Sequence, residues 1–243
     1  MAMRSANPAL NKNTFASYSR AGESGNAMTI QGTVNKTAIL LFCVMITAYY
    51  SWTNPALTYL WTIGLFGGLI FAFITIFKKE WAGITAPLYA LCEGLFLGSL
   101  SLMFENRFPG IVMNAVLLTF GTLFALLGAY RSGLIKVTEN FRLGIVAATG
   151  GIFFLYLASW ILRFFGVSMS FLHDSSPLSI GISFVIVIIA ALNLVLDFDF
   201  IEQGAEYGAP KFMEWYAAFG LMVTLIWLYI EILHLLSKLQ SRD

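Results

Sequence analysis

Seven long apolar runs, each closed by a short polar cluster, organise this chain. The first extends from Thr37 to Trp52 and is closed by Asn54-Pro55; the second, Thr58 to Phe77, stops at Lys78-Lys79-Glu80. The third, Ile84 to Phe104, stops at Glu105-Asn106-Arg107, and the fourth covers Gly110 to Tyr130. A polar connector from Arg131 to Arg142 follows, and the fifth run goes from Leu143 to Leu162 and ends at Arg163. The loop His173-Asp174-Ser175-Ser176-Pro177 precedes the sixth, Leu178 to Leu196. An acidic connector carrying Asp197, Asp199, Glu202, Glu206 and Glu214 then leads to the seventh, Tyr216 to Leu236. A helix needs ~20 mostly apolar residues to cross the hydrocarbon core of a bilayer. The pattern therefore predicts an all-α integral membrane protein with seven transmembrane helices.

Composition agrees with the pattern. Of the 243 residues, 58% are hydrophobic and 11% are charged, against roughly a quarter charged in a soluble domain. Net charge is +1, so no strong field points to nucleic acid; membrane lipid is the expected surrounding. Residues 1–34 are polar, rich in Ser, Asn and Ala, and lack the apolar stretch of a signal peptide. They are expected to form a flexible tail ahead of a transmembrane domain at residues 35–239. With the N-terminus in the cytoplasm, the inner segments hold Arg4, Lys12, Arg20, Lys36, Lys78, Lys79, Arg131, Lys136, Arg142 and Lys211, and the outer ones hold Arg107, Arg163, Lys238 and Arg242. The excess of basic residues inside predicts that orientation, with the C-terminus outside.

Two small-xxx-small pairs, Gly64/Gly68 and Gly94/Gly98, predict close helix–helix contact within the bundle. Cys43 and Cys92 lie in separate apolar runs. They read as packing residues and give neither a disulfide framework nor metal-ligand spacing.

The residues with chemistry are the acids in or beside apolar runs. Glu93 is central to the third run and Glu231 lies well inside the seventh. Asp197 and Asp199 end the sixth, with Asn193 one turn before Asp197. An acid such as Asp at a helix centre costs roughly 2.5–3.5 kcal/mol on insertion scales, and such residues face a bundle interior or a wet cavity. No Lys or Arg lies in the middle of any run. His234, three residues beyond Glu231, shares its helix face and is placed to share a proton with it. An acid in such surroundings protonates, shares a proton with a second carboxyl, or binds a cation; calcium favours oxygen ligands of this kind. Glu202, Glu206 and Glu214 read instead as a solvated acidic face.

Taken in order, several stretches are similar to those of the Bax inhibitor-1 family (transmembrane Bax inhibitor motif proteins), in its bacterial YccA-like branch. They are Asn35-Lys36-Thr37, Glu93-Gly94-Leu95, Gly133-Leu134-Ile135-Lys136-Val137-Thr138, Leu196-Asp197-Phe198-Asp199-Phe200-Ile201-Glu202 and Trp227-Leu228-Tyr229-Ile230-Glu231. The resemblance covers Asn35 to Leu239. It implies six helices wrapped around a central seventh, a bacterial inner-membrane location, and a pH-sensitive calcium leak gated by an acid on the sixth helix and one on the seventh. Asp197 is the best match to the sixth-helix acid, although relatives carry Asp-Thr-Gln where this chain has Asp197-Phe198-Asp199. Glu231 takes the place of an Asp in a Leu-Tyr-Leu-Asp context and is one methylene longer. If one straight helix began at Tyr216, Glu231 would sit ~22 Å along it, so a meeting of the two acids depends on where that helix begins.

The expected function is thus a pH-sensitive calcium leak or exchanger. Its ion- and proton-sensing residues are Asp197, Glu231, Glu93 and Asp199, with Asn193 and His234 in support. Asp197 and Glu231 are the candidate calcium ligands; no resident cofactor is required. The alternative that the resemblance implies is a non-transporting regulator that binds and restrains a membrane-anchored ATP-dependent protease, with residues 1–34 as the handle. An intramembrane aspartyl protease needs two carboxyls sharing a proton across a water. The chain has Glu on the seventh helix and no Gly-x-Gly-Asp, so no catalytic residue is expected.

Overall fold

A computed structural model of the chain describes residues 27–56, 59–166 and 174–242. Among these residues there is no β-strand, and seven helices are long and apolar enough to cross a membrane. They are α1 (Ile30–Thr53), α2 (Leu60–Phe77), α3 (Ala82–Arg107), α4 (Ile111–Arg131), α5 (Glu139–Phe164), α6 (Pro177–Glu206) and α7 (Met213–Gln240). A single 3₁₀ turn, Lys79–Trp81, leads into α3. Phe42, Phe66, Phe124, Phe153 and Trp160 are each more than half exposed. A soluble monomer does not tolerate so much uncovered apolar surface; lipid covers it here. α7 is the most buried of the seven, with 67% of its apolar window inside the protein against at most 44% in the others.

Two boundaries differ from the apolar runs. The tail expected to reach Val34 ends sooner, because helix begins at Ile30. Thr29 caps it, accepting a hydrogen bond from Gly32 N at 2.9 Å, and so satisfies one of the donors that a helix start leaves open. Residues 1–26 of the tail lie outside the described residues, as does His173. The acidic connector is also shorter than expected. α6 continues ten residues past Leu196 to Glu206, so Asp197, Asp199, Glu202 and Glu206 are helical. Hydropathy marks where a helix leaves the apolar layer, and not where it stops.

The chain divides into two compact units. The first holds α1 to α3 together with Asp197–Val223. In it α1 and α2 both pack on α3, and glycine decides how closely. A Cβ on Gly64 would come within 2.6 Å of Cys92 O and Phe96 N. A Cβ on Gly94 would collide with Thr47 Oγ1 and Val44 O, and one on Gly98 with Ala48 O and Ser51 Oγ. Both small-residue pairs thus serve contacts inside the bundle, as expected. Thr75 Oγ1 and Thr85 Oγ1 are 2.7 Å apart between α2 and α3, and Tyr89 meets Phe219 edge to face at 4.9 Å.

The second unit holds Phe108–Leu196 and the chain from Thr224 onward. Three long-range polar ties among its described residues end on α6 or α7. Asn193 Nδ2 donates to Thr149 Oγ1 at 2.9 Å, which links α6 to α5. Tyr156 Oη donates to Glu231 and links α5 to α7. Lys238 Nζ donates to Ser179 and Ser183 and links α7 to α6.

Replacement of Gly94 by Val should lower stability by about 1–3 kcal/mol, the usual cost of overpacking a close contact. Gly121→Ala should be neutral or mildly stabilising, since nothing lies within 4 Å of an added Cβ there and Ala is the better helix former. Thermal unfolding of the two variants in detergent checks this; equal melting would show that α1 and α3 do not approach at Gly94.

Candidate functional site

Glu231 is a buried acid well inside an apolar helix. It lies eighteen residues into α7 and is 4% exposed. Two donors hold its carboxyl. Tyr156 Oη of α5 lies 2.9 Å from Oε1 and 3.1 Å from Oε2. Trp227 Nε1, one turn earlier on α7, lies 3.1 Å from Oε1. Both donors are neutral. A hydrogen bond to a charged group contributes about 1.5–3 kcal/mol, and insertion of an acid costs about 2.5–3.5. Two such bonds are therefore comparable to the cost, and the site neither forces nor forbids the charge. His234 stands three residues on, half-buried. Among the described contacts, the carboxyl accepts its hydrogen bonds from Tyr156 and Trp227. Lys238, seven residues on, interacts electrostatically with the carboxyl.

The other predicted residues fall as follows. Asn193, on the α6 part of the second unit, is 5% exposed and donates to Thr149 Oγ1 and to Ile189 O. Asp197, Asp199 and Glu93 belong to the first unit. Asp197 is 1% exposed, deep in α6 and nine residues from its end. Asp199 is half-buried and accepts from Gln203 Nε2 at 2.6 Å, one turn on. The carboxyl of Glu93 lies against Gly68 of α2, where a Cβ would come within 2.7 Å of Oε1. At 1.5 Å per residue, Asp197 stands about 13 Å of helix axis before the end of α6, and Glu231 about 27 Å after the start of α7. Among the described residues no three His, Cys, Asp or Glu side chains gather as a metal-holding group.

One acid was misjudged by pattern. Glu214, expected on a solvated face together with Glu202 and Glu206, has a fully buried side chain, while Glu202 and Glu206 are indeed exposed. It sits in the first turn of α7, where a negative charge suits the helix dipole. Its Oε1 accepts from Thr29 N and Thr29 Oγ1, both at 2.9 Å, and pairs with Lys211 Nζ at 3.2 Å. Its Oε2 pairs with Lys36 Nζ. Gly32 leaves the space, since a Cβ there would overlap the carboxyl. The Lys36 ammonium also lies 5.6 Å from the centroid of the Trp215 ring, within cation–π range. Backbone pairing of Met28 N with Ala209 O at 2.6 Å completes a latch between the start of α1 and the α6–α7 connector. Glu214 is therefore a structural acid whose charge is matched, unlike that of Glu231. Lys211 is a local partner, three residues away, but Lys36 and Thr29 lie 178 and 185 residues away in sequence, so local pattern could not find them.

A protein-family model described as Bax inhibitor 1 like matches residues 7–241. No curated protein and no solved structure matches the chain.

Lys36→Met should remove a largely buried counter-ion from a fully buried carboxylate and lower stability by about 3–5 kcal/mol. Lys211→Met removes a half-exposed one and should cost at most about 1 kcal/mol. Thermal unfolding, with amide exchange read at residues 28–33, checks the ranking. Equal effects would mean that the latch does not bear on the start of α1.

Proposed function

The chain belongs to the Bax inhibitor 1 like family, and on that premise we propose that it is a pH-sensitive cation leak, with calcium as the cargo and Glu231 as the group that senses protons. The observation that carries this reading is the pairing of Glu231 with two neutral donors, Tyr156 and Trp227, inside an apolar helix. A carboxyl held this way is not committed to a permanent ion pair. It can exchange a proton for a cation without losing its hydrogen-bonded seat.

The chemistry is a competition. The protonated acid is neutral and has little attraction for calcium. As pH rises through its titration, the group gains charge and with it affinity for a hard cation that prefers oxygen ligands. As pH falls, the proton displaces the cation. Asp197, buried in α6, is the second acid proposed to sense protons, and Glu93 and Asp199 are subsidiary. Asn193 braces α6 against α5 through Thr149. The basic residues of the connectors favour a cytoplasmic N-terminus, and the resemblance to the YccA-like branch implies a bacterial inner membrane.

Glu231→Gln keeps the shape and most hydrogen bonding but cannot titrate. In proteoliposomes loaded with a calcium indicator, the native protein should show influx that changes with pH, and Glu231→Gln should lose that dependence and at least tenfold of the flux. Tyr156→Phe removes one donor and should shift the midpoint of the pH profile while leaving flux measurable. Flux and pH profile unchanged in both Glu231→Gln and Asp197→Asn would sink the leak reading and leave the non-transporting, protease-restraining one.

A further inference from the structure

Lys238 is an ammonium turned inward where water lies the other way. It stands two residues from the end of α7, a position from which lysines usually extend outward to the membrane surface. Here Nζ donates instead to Ser179 Oγ at 2.9 Å and Ser183 Oγ at 2.8 Å. The two serines lie four residues apart on one face of α6, and they are 0% and 4% exposed. Lys238 is seven residues from Glu231, which is nearly two full turns and so the same face of α7. Side chains on a helix lean toward its N-terminus, so the lysine stem points back toward the acid. The two groups interact electrostatically, and Lys238 interacts in the same way with Asp174 on the loop before α6. Asp174 is fully exposed, and a hydrogen bond from Ser176 Oγ at 2.7 Å holds its carboxyl below the ordinary range. The end of α7 is pinned as well, since Ser175 and Ser241 share a hydrogen bond between their hydroxyls.

Along this end of the second unit stand a surface carboxylate, an ammonium seated on two buried hydroxyls, and a buried carboxyl. Hydroxyl oxygens beside a carboxylate suit a cation, and the cation occupying them belongs to the protein. We infer that Lys238 is a tethered plug, whose ammonium occupies a cation subsite formed by the hydroxyls of Ser179 and Ser183, on the helix face that leads to Glu231, and must be displaced before an external cation reaches Glu231. This rests on the leak reading and adds its regulation: calcium, drawn first to Asp174, competes with an ammonium that never leaves the protein. The effective concentration of that ammonium is set by the length of the lysine stem, and not by the solution.

The test uses the full chain in proteoliposomes. Lys238→Met keeps the apolar stem and removes the charge; its calcium influx should rise at least fivefold at low calcium. Lys238→Arg restores a cation and should stay near the native rate. Ethylammonium added to Lys238→Met should inhibit influx, with little effect on the native protein, and a variant that is merely misfolded would show no such selective inhibition. Glu231→Gln in the Lys238→Met background should abolish the gain. Influx of Lys238→Met at or below the native rate, or a raised influx insensitive to ethylammonium, overturns the plug. Those results leave the leak reading standing as long as Glu231→Gln alone still changes native flux, so the two failures are told apart.

Discussion

A carboxyl group in an apolar helix bundle has to be neutralised by something, and the choice of neutraliser separates the acids of this protein. Moving an acid into the centre of a membrane helix costs a few kcal/mol. Counter-ions, hydrogen-bond donors, protons and bound cations can each offset that cost. What they leave differs, because a fixed counter-ion makes a joint, whereas neutral donors leave the charge state open.

Glu214 and Glu231 sit on the same helix and represent the two outcomes. Glu214 has Lys36, Lys211 and the capping residue Thr29 around it. Two ammonium groups match its charge and Thr29 donates hydrogen bonds to it, and the result ties the start of α1 to the start of α7. Glu231 has a phenol and an indole, with a lysine two turns away whose hydrogen bonds go to serines. That ammonium interacts electrostatically with the acid and is held by other groups. That arrangement gives α7 an ion-paired end near Met213 and, on the proposed reading, an adjustable one near Lys238.

Much of this was legible in the sequence, and the failures share a cause. Seven helices follow from seven apolar runs, because a bilayer allows little else. The glycine pairs on α2 and α3 also revealed their purpose, since only a missing side chain lets backbones come so close. Trp227 could have been found as a partner of Glu231, because a spacing of four residues puts it on the same helix face. Tyr156 could not, since it comes from another helix 75 residues away. The fate of Glu214 was hidden for the same reason, although Thr29, Gly32 and Lys36 at turn spacing ahead of an apolar run were a faint sign of a prepared seat. The extension of α6 past Leu196 was missed because its last ten residues carry four acids and read as a connector. Hydropathy reports the solvent around a helix, whereas the hydrogen-bonded backbone that defines it can run on into water.

The central claim is that protons and cations compete for Glu231, and the carboxyl itself reports this. Infrared difference spectroscopy of the reconstituted protein, at a pH where the group is protonated, would follow its stretching band as calcium is added. The account predicts that calcium converts a protonated-carboxyl band into a carboxylate band, and that Glu231→Gln lacks this change. A spectrum in which calcium leaves the protonated band untouched, or alters it equally in native protein and Glu231→Gln, would contradict it.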